Sequence, residues 1–242
     1  GDRLVAVSDH TKRKLLATAK PMNVSRINAG IDISTFTPGL QSENLRRELG
    51  LGDRLSVLYA GDYGRMKAID DVVEIIEKVS QDISSIKFIL AVRIREKKDA
   101  IKEKQVKDYL RARKLGNNVL FLNTVKNMPE LINACDIFLF PPRTMHGKFD
   151  TPLVLLEAMA EAKPLVVTNV APLDELFIEG DVGIKVPPGD PKALHEAIIR
   201  LANDNRLRET MGKKGRATVK KHFNIAKIIP QYQKLYNGLQ TA

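Results

Sequence analysis

The sequence holds a single cysteine and no tryptophan, and aromatic residues make up only 5% of its 242 positions. One cysteine excludes an internal disulfide framework. Cys135, set among Ile132, Ala134, Ile137 and Phe138, reads as a small core residue and not as a ligand or nucleophile. Few aromatics leave no stacking platform for single-stranded nucleic acid, and no helix-turn-helix pattern is present. No apolar run reaches the ~20 residues that cross a bilayer; Ile132–Phe140 and Leu153–Ala160 stop well short. No charged, apolar and small-residue leader precedes Val5, so a cytoplasmic location is expected. The Walker spacing, the Gly-x-Gly-x-x-Gly fingerprint, His-Glu-x-x-His and a Ser-His-Asp set are all missing. Metal and disulfide chemistry are therefore not expected.

What is present is an ordinary globular composition, 43% hydrophobic. It suffices for one large domain, or one domain with extra helices. The formal net charge of +10 favours anionic partners: nucleic acid, a lipid surface or a phosphorylated small molecule. Charge alone does not choose among them. Much of the excess falls in Lys97–Lys114 and Lys213–Lys221, which read as solvated helix faces. Peripheral contact with the inner face of a membrane stays open on this ground.

Short β-branched and aliphatic segments recur at Arg3–Val7, Leu55–Ala60, Ile86–Ala91, Val119–Leu122, Ile137–Phe140, Pro164–Val167 and Gly183–Val186. Between them lie helical patterns at Thr11–Ala19, Ala68–Val79, Glu96–Leu115, Met128–Ala134, Pro152–Ala162, Pro172–Phe177 and Pro191–Ala202. This β-α alternation predicts an α/β fold, a largely parallel, Rossmann-like sheet with helices on both faces. The chain then continues helical from Asp204 to Lys221, and Ile225–Leu239 carries an apolar helical stripe that should pack back across the domain. Residues 1–40 read as an inter-domain segment, with Asn28–Pro38 a loop into a main domain spanning residues 41–242.

In an open parallel sheet, ligands gather beyond the carboxyl ends of the strands, where strand order reverses. Two loops qualify. In Gly61-Asp62-Tyr63-Gly64-Arg65-Met66-Lys67, glycines allow close backbone approach, and two cations stand just before a helix. This suits a diphosphate, although an ordinary strand-to-helix turn reads the same way. The second loop, Pro141–Pro152, leads into Leu153-Val154-Leu155-Leu156-Glu157-Ala158-Met159-Ala160. Thr151 reads as an N-cap and Pro152 as the first helical residue, so N–H groups near Leu153 and Val154 would point into the crevice. Glu157 stands alone in an otherwise apolar helix, and burying an unpaired carboxylate is costly; it either has a hydrogen-bonding role or reaches solvent along one polar edge. His10, His195 and His222 read as surface histidines, whereas His146 lies close to the crevice.

Together these segments resemble family 4 of the retaining glycosyltransferases with the GT-B architecture, in which two Rossmann-like domains face one another and the second holds the donor. The likeness runs over nearly the whole chain. Val5-Ala6-Val7-Ser8, Asn28-Ala29-Gly30-Ile31-Asp32 and Phe36-Thr37-Pro38 are similar to the family's inter-domain passage. Gly61…Lys67-Ala68 resembles its Gly-Arg…Lys-Gly loop. Leu153–Lys163 with Pro164 is similar to its Leu-Glu-Ala-Met-Ala-x-Gly-Lys-Pro run, the most specific match.

The resemblance implies a nucleotide-sugar donor, with UDP, GDP or ADP as the carrier. It puts Lys67 on the diphosphate, backbone groups near Val125 on the base, Glu157 on the ribose, and the N–H groups of Leu153 and Val154 on the distal phosphate. Two departures stand out. The family's arginine after the loop glycine is Asp62 here, which leaves Arg65 to reach back and share the charge-stabilising role with Lys67. Its Glu-x₇-Glu pair keeps only Glu157, because the first position is Phe149; Asp150 and Thr151 replace Gly and Phe, with Asp150 a stand-in toward the transferred sugar. The implied reaction is retaining hexosyl transfer to a sugar, lipid-linked or glycan acceptor, held by a further N-terminal domain. Competing readings are a Rossmann-like module that binds nucleotide sugar without catalysis, a nucleotide-sugar 2-epimerase, and, from net charge alone, a nucleic-acid-binding protein.

Overall fold

In the computed structural model, residues 3–18, 23–39, 42–64, 66–146, 150–178 and 180–240 are described. The sequence positions Arg65 and Phe149 lie outside them.

The chain opens with β1 (Arg3–Ala6), α1 (Asp9–Thr18) and β2 (Asn23–Arg26), followed by a short α2 (Glu43–Glu48). The two strands pair in parallel with each other, in a sheet of their own. The main sheet follows. Its strands are β3 (Ser56–Gly61), β4 (Lys87–Val92), β5 (Val119–Leu122), β6 (Ile137–Phe140), β7 (Leu165–Thr168) and β8 (Gly183–Val186). They run parallel in the order β5-β4-β3-β6-β7-β8. Ser56–Ala60 and all of β6 and β7 are buried, as expected of strands covered on both faces.

The covering helices are α3 (Ile69–Asp82), α4 (Lys97–Ala112), α5 (Met128–Ala134), α6 (Leu153–Ala160), α7 (Pro191–Asn203), α8 (Asn205–His222) and α9 (Ile225–Gln240). They form two sets: α3 packs on α4 and α7, while α6 packs on α5 and α8. Right-handed crossovers on either side of β3 place one set on each face. Close packing of α8 on the end of α6 depends on Gly212, where a Cβ would fall on the Ala162 carbonyl oxygen. The loop between the two sheets is pinned to the junction of α8 and α9. Ile31 N–H donates to Phe223 O at 2.8 Å, and Ile225 N–H returns to Ile31 O at 2.9 Å.

One expectation needs correcting: Pro172–Phe177 is not an α-helix but contains a 3₁₀ turn, Leu173–Leu176. In the opening segment β1 and α1 fall on the expected strand and helix, and β2 adds a strand that the pattern did not mark. Among the described residues no helix is long and apolar enough to cross a membrane. The cations of α4 are largely paired, as in Lys102–Asp70, Lys107–Glu103 and Arg111–Asp108, in keeping with a solvated helix face.

Candidate functional site

Strand order reverses between β3 and β6, so the crevice lies over the loops that follow these two strands. After β3 the chain must turn at once. Gly61 is required there because a Cβ would fall on the Tyr59 hydroxyl, which donates to Asp62 O at 3.1 Å. The Asp62 carboxylate then accepts from the N–H of Gly64 at 3.0 Å and of Met66 at 3.2 Å. The residue standing where the family has arginine is thus an internal clamp of the loop.

Lys67 follows with φ +53°, left-handed backbone that L residues seldom take. Lys114 and Ala162 share this geometry, but each closes a helix through bonds from Leu115 N–H to Leu110 O and from Lys163 N–H to Ala158 O. Lys67 closes no helix. Its exposed side chain has no partner among the described residues. Arg65, the second predicted cation, falls outside the described residues.

The loop after β6 is bound to the loop after β3 through Arg143, whose N–H donates to Met66 O at 2.9 Å. Its guanidinium forks onto the buried Asp71 of α3, with Nε to Oδ2 at 2.8 Å and Nη2 to Oδ1. Further along, Asp150 Oδ2 accepts from the buried Ser8 hydroxyl at 2.5 Å. Ser8 Oγ in turn caps α1 by accepting from Thr11 N–H at 3.0 Å. Glu175 reinforces this junction, accepting from the N–H groups of Asp9 and His10 at 2.8 and 2.7 Å. Two carboxylates from the main-sheet unit therefore hold the amino end of α1, where the helix dipole favours negative charge.

The start of α6 differs from the expected one. Pro152, with extended ψ of 116°, is the capping residue, Leu153 is the first helical position, and no side chain caps the helix. Thr151 is buried. A proline ψ in the extended range delays the helix by one residue. Leu155 N–H already bonds to Pro152 O at 3.0 Å, so the N–H groups of Leu153 and Val154 remain without acceptors among the described residues. One turn on, Glu157 is half-buried, and its carboxylate has no hydrogen-bond or cationic partner among the described residues. Burial raises its carboxyl above the ordinary range. Val125, in the loop after β5, is half-buried against the core. That loop is joined to the one after β4 by a bond from Ile94 N–H to Asn123 Oδ1 at 2.8 Å.

Gly61, Lys67, Asp150 and Thr151 thus lie on loops at the switch point, Leu153 and Val154 open α6 beside them, and Val125 stands two strands away, past β4. A cleft of about 450 Å³ opens between α1 and the loop after β6. His10, Lys14, Arg143, His146 and Asp150 line it. A second cavity, about 340 Å³, joins Gly61, Asp62 and Gly64 to Arg93 and Arg95 of the loop after β4. Sequence reading passed over these two arginines and the Ser8–Asp150 contact. The arginines follow a strand, and that signal was available. A wider groove of about 660 Å³ lies between α3 and α4, away from the strand ends. Its charges satisfy one another, as in Lys102–Asp70 and Tyr109–Glu77.

Residues 41–218 match the model of the glycosyl transferases group 1. The chain belongs to this family. The glycosyltransferase chain is 27% identical over 240 residues to the capsular polysaccharide biosynthesis glycosyltransferase CapM of Staphylococcus aureus, a match covering 97% of the chain and 61% of CapM. It is 28% identical over 193 residues to N-acetyl-alpha-D-glucosaminyl L-malate synthase of Bacillus anthracis, covering 79% of the chain and 48% of that enzyme. The chain thus spans roughly half to three-fifths of these relatives' length. Anabaena HepE, solved in complex with UDP-glucose, shares the fold at a TM-score of 0.85 and 21% identity, over 97% of this chain and 63% of HepE. The six-stranded parallel sheet is that of a GT-B glycosyltransferase, and one of the matches is to a C-terminal domain, that of a glycosyl transferase group 1 family protein of Francisella tularensis.

Proposed function

We propose that residues 41–242 form the donor-binding half of a retaining hexosyltransferase, that residues 1–40 belong to the passage between its halves, and that the donor is a nucleotide diphosphate sugar. The observation that carries this reading is the open, polar start of α6 beside Glu157. Two N–H groups and a carboxylate stand without partners among the described residues at the strand-order reversal. Free helix-start N–H groups suit a phosphate, and a desolvated carboxylate suits a pair of hydroxyls.

In this reading the distal phosphate rests on Leu153 and Val154 and the Glu157 carboxylate accepts from the ribose. Lys67 reaches the diphosphate, Gly61 lets it approach the backbone, and backbone groups near Val125 hold the base. Arg65 shares the role of Lys67. Asp150 and Thr151 border the transferred sugar, and Ser8 fixes the carboxylate of Asp150. As the bond between the anomeric carbon and the diphosphate oxygen breaks, the leaving group gains negative charge. Lys67, Arg65 and the helix start would offset that charge without a metal. A sugar, lipid-linked or glycan acceptor attacks the anomeric carbon from a further domain, because transfer requires the acceptor to be oriented across a closed cleft. The UDP-glucose in HepE supports a donor of this class.

The test is a thermal-shift titration of the chain with UDP, GDP, ADP and their sugar conjugates. A ligand that binds only the folded state raises the melting temperature. A selective rise with one diphosphate is expected and names the base. No shift with any of them at millimolar concentration overturns the assignment for this chain.

A further inference from the structure

We propose that Arg93 and Arg95 form a second contact for the donor's diphosphate, reaching it from the β4 side of the crevice. The inference rests on the donor-binding reading above and adds two residues to it.

β4 is the neighbour of β3 in the sheet, and its following loop begins at Arg93. Together the two loops enclose the cavity of about 340 Å³, with Gly61 and Gly64 on one wall and Arg93, Arg95 and Lys98 on the other. The position of a Cβ on Gly64 faces open space, so this wall presents backbone to whatever enters. Each acid in the lining is already bonded. Asp62 takes the N–H groups of Gly64 and Met66. Asp99 takes those of Arg95 and Glu96, at 3.0 and 3.1 Å. Glu96 completes the capping box of α4 and pairs with Lys98 at 2.8 Å.

The arginine side chains differ from these acids: neither guanidinium has a partner among the described residues. Their backbone is nevertheless fixed. Ile94, between them, packs against the core and donates its N–H to Asn123. Two guanidinium forks on an anchored loop, facing bare backbone, form a receptor for phosphate oxygens, which they bind bidentately. The same chemistry would take free pyrophosphate, so the assay separates the two.

The experiment is calorimetric titration of the wild type, the double variant R93Q/R95Q and E157A with UDP, GDP, ADP, uridine and pyrophosphate, at ~50 and ~200 mM salt. The double variant should lose on the order of tenfold in affinity for the diphosphate that the wild type prefers. It should show a shallower salt dependence, the same response to uridine and an unchanged melting temperature. Diphosphate affinity within twofold of the wild type overturns the proposal; where E157A is weakened in the same assay, the donor reading survives alone. Loss of pyrophosphate binding with nucleotide affinity intact also overturns it and leaves a free-anion site. A wild type that binds neither nucleotides nor pyrophosphate removes both readings together.

Discussion

Glu157 and Glu161 stand one turn apart on the same stretch of chain, the first inside α6 and the second closing it, and their surroundings are opposite. Glu161 is 1% exposed and accepts from Asn133 Nδ2 at 2.5 Å. Lys163 and Arg216 stand near it, and burial pushes its carboxyl up to about 8. Both cations are themselves bonded to backbone: Lys163 Nζ to Asn133 O at 2.9 Å, and Arg216 to the carbonyls of Phe36 and Ala160. This polar knot ties the incoming loop, α5, α6 and α8 together through Glu161 Oε2, while Oε1 is buried without a hydrogen-bond partner among the described residues. Glu157 has none of these partners and lies one turn past the open helix start. In the proposed reading the contrast separates a carboxyl that holds the fold from one available to a ligand. Burial alone would rank them in the opposite order.

The knot is where the largest effect is expected. Glu161→Ala leaves a cavity and removes one of the three acceptors of Asn133 Nδ2, whose bonds to Thr37 O and Pro129 O remain, at a cost of about 3 kcal/mol. At this chain length that is a fall of ~6–12 °C in melting temperature, measured by calorimetry. A loss below ~1 kcal/mol would break the contrast by making Glu161 as dispensable to the fold as Glu157. Its titration sharpens the point. A carboxyl raised to about 8 in the folded state, from its ordinary value of 4.5, gives stability that is fully present below 4.5. That stability is lost as pH climbs toward 8. The stability of the wild type should therefore fall relative to Glu161→Gln between about pH 5 and 8, by on the order of 4 kcal/mol, and then level off. Parallel curves for the two proteins would show that Glu161 carries no such proton.

Much of the architecture was legible because the buried strands write themselves as apolar runs. Val119–Leu122, Ile137–Phe140 and Gly183–Val186 fall where the pattern puts them, and so does the β-α order. Asn23–Arg26 does not, since Val24 is its one β-branched residue and only pairing with β1 makes it a strand. Thr151 was misread as the cap because local propensity cannot see a proline ψ set by the loop. The locations of the two crevice loops followed from the strand-end rule. The detail within them did not. Asp62 looks in sequence like a lost arginine, yet it clamps its own loop through short-range bonds of a kind common to aspartate in turns. Ser8 and Asp150, 142 positions apart, meet only in three dimensions.

The smallest effect in free energy is the one that bears most on function. Glu157→Ala should leave the melting temperature within about 2 °C of the wild type, because no hydrogen bond or ion pair among the described residues is broken. Its affinity for the nucleotide diphosphate should drop by roughly tenfold, the worth of a hydrogen bond to a charged group. Lys67→Ala should do the same and also flatten the salt dependence, since it removes a cation from the anion's surroundings. The decisive pattern is a crossover: Glu161→Ala loses stability but, once folded, keeps its affinity, whereas Glu157→Ala loses affinity and keeps its stability. If Glu157→Ala instead unfolds the chain, the half-buried carboxyl is part of the structure after all. If both variants bind as the wild type does, the crevice over β3 and β6 is not where the donor sits.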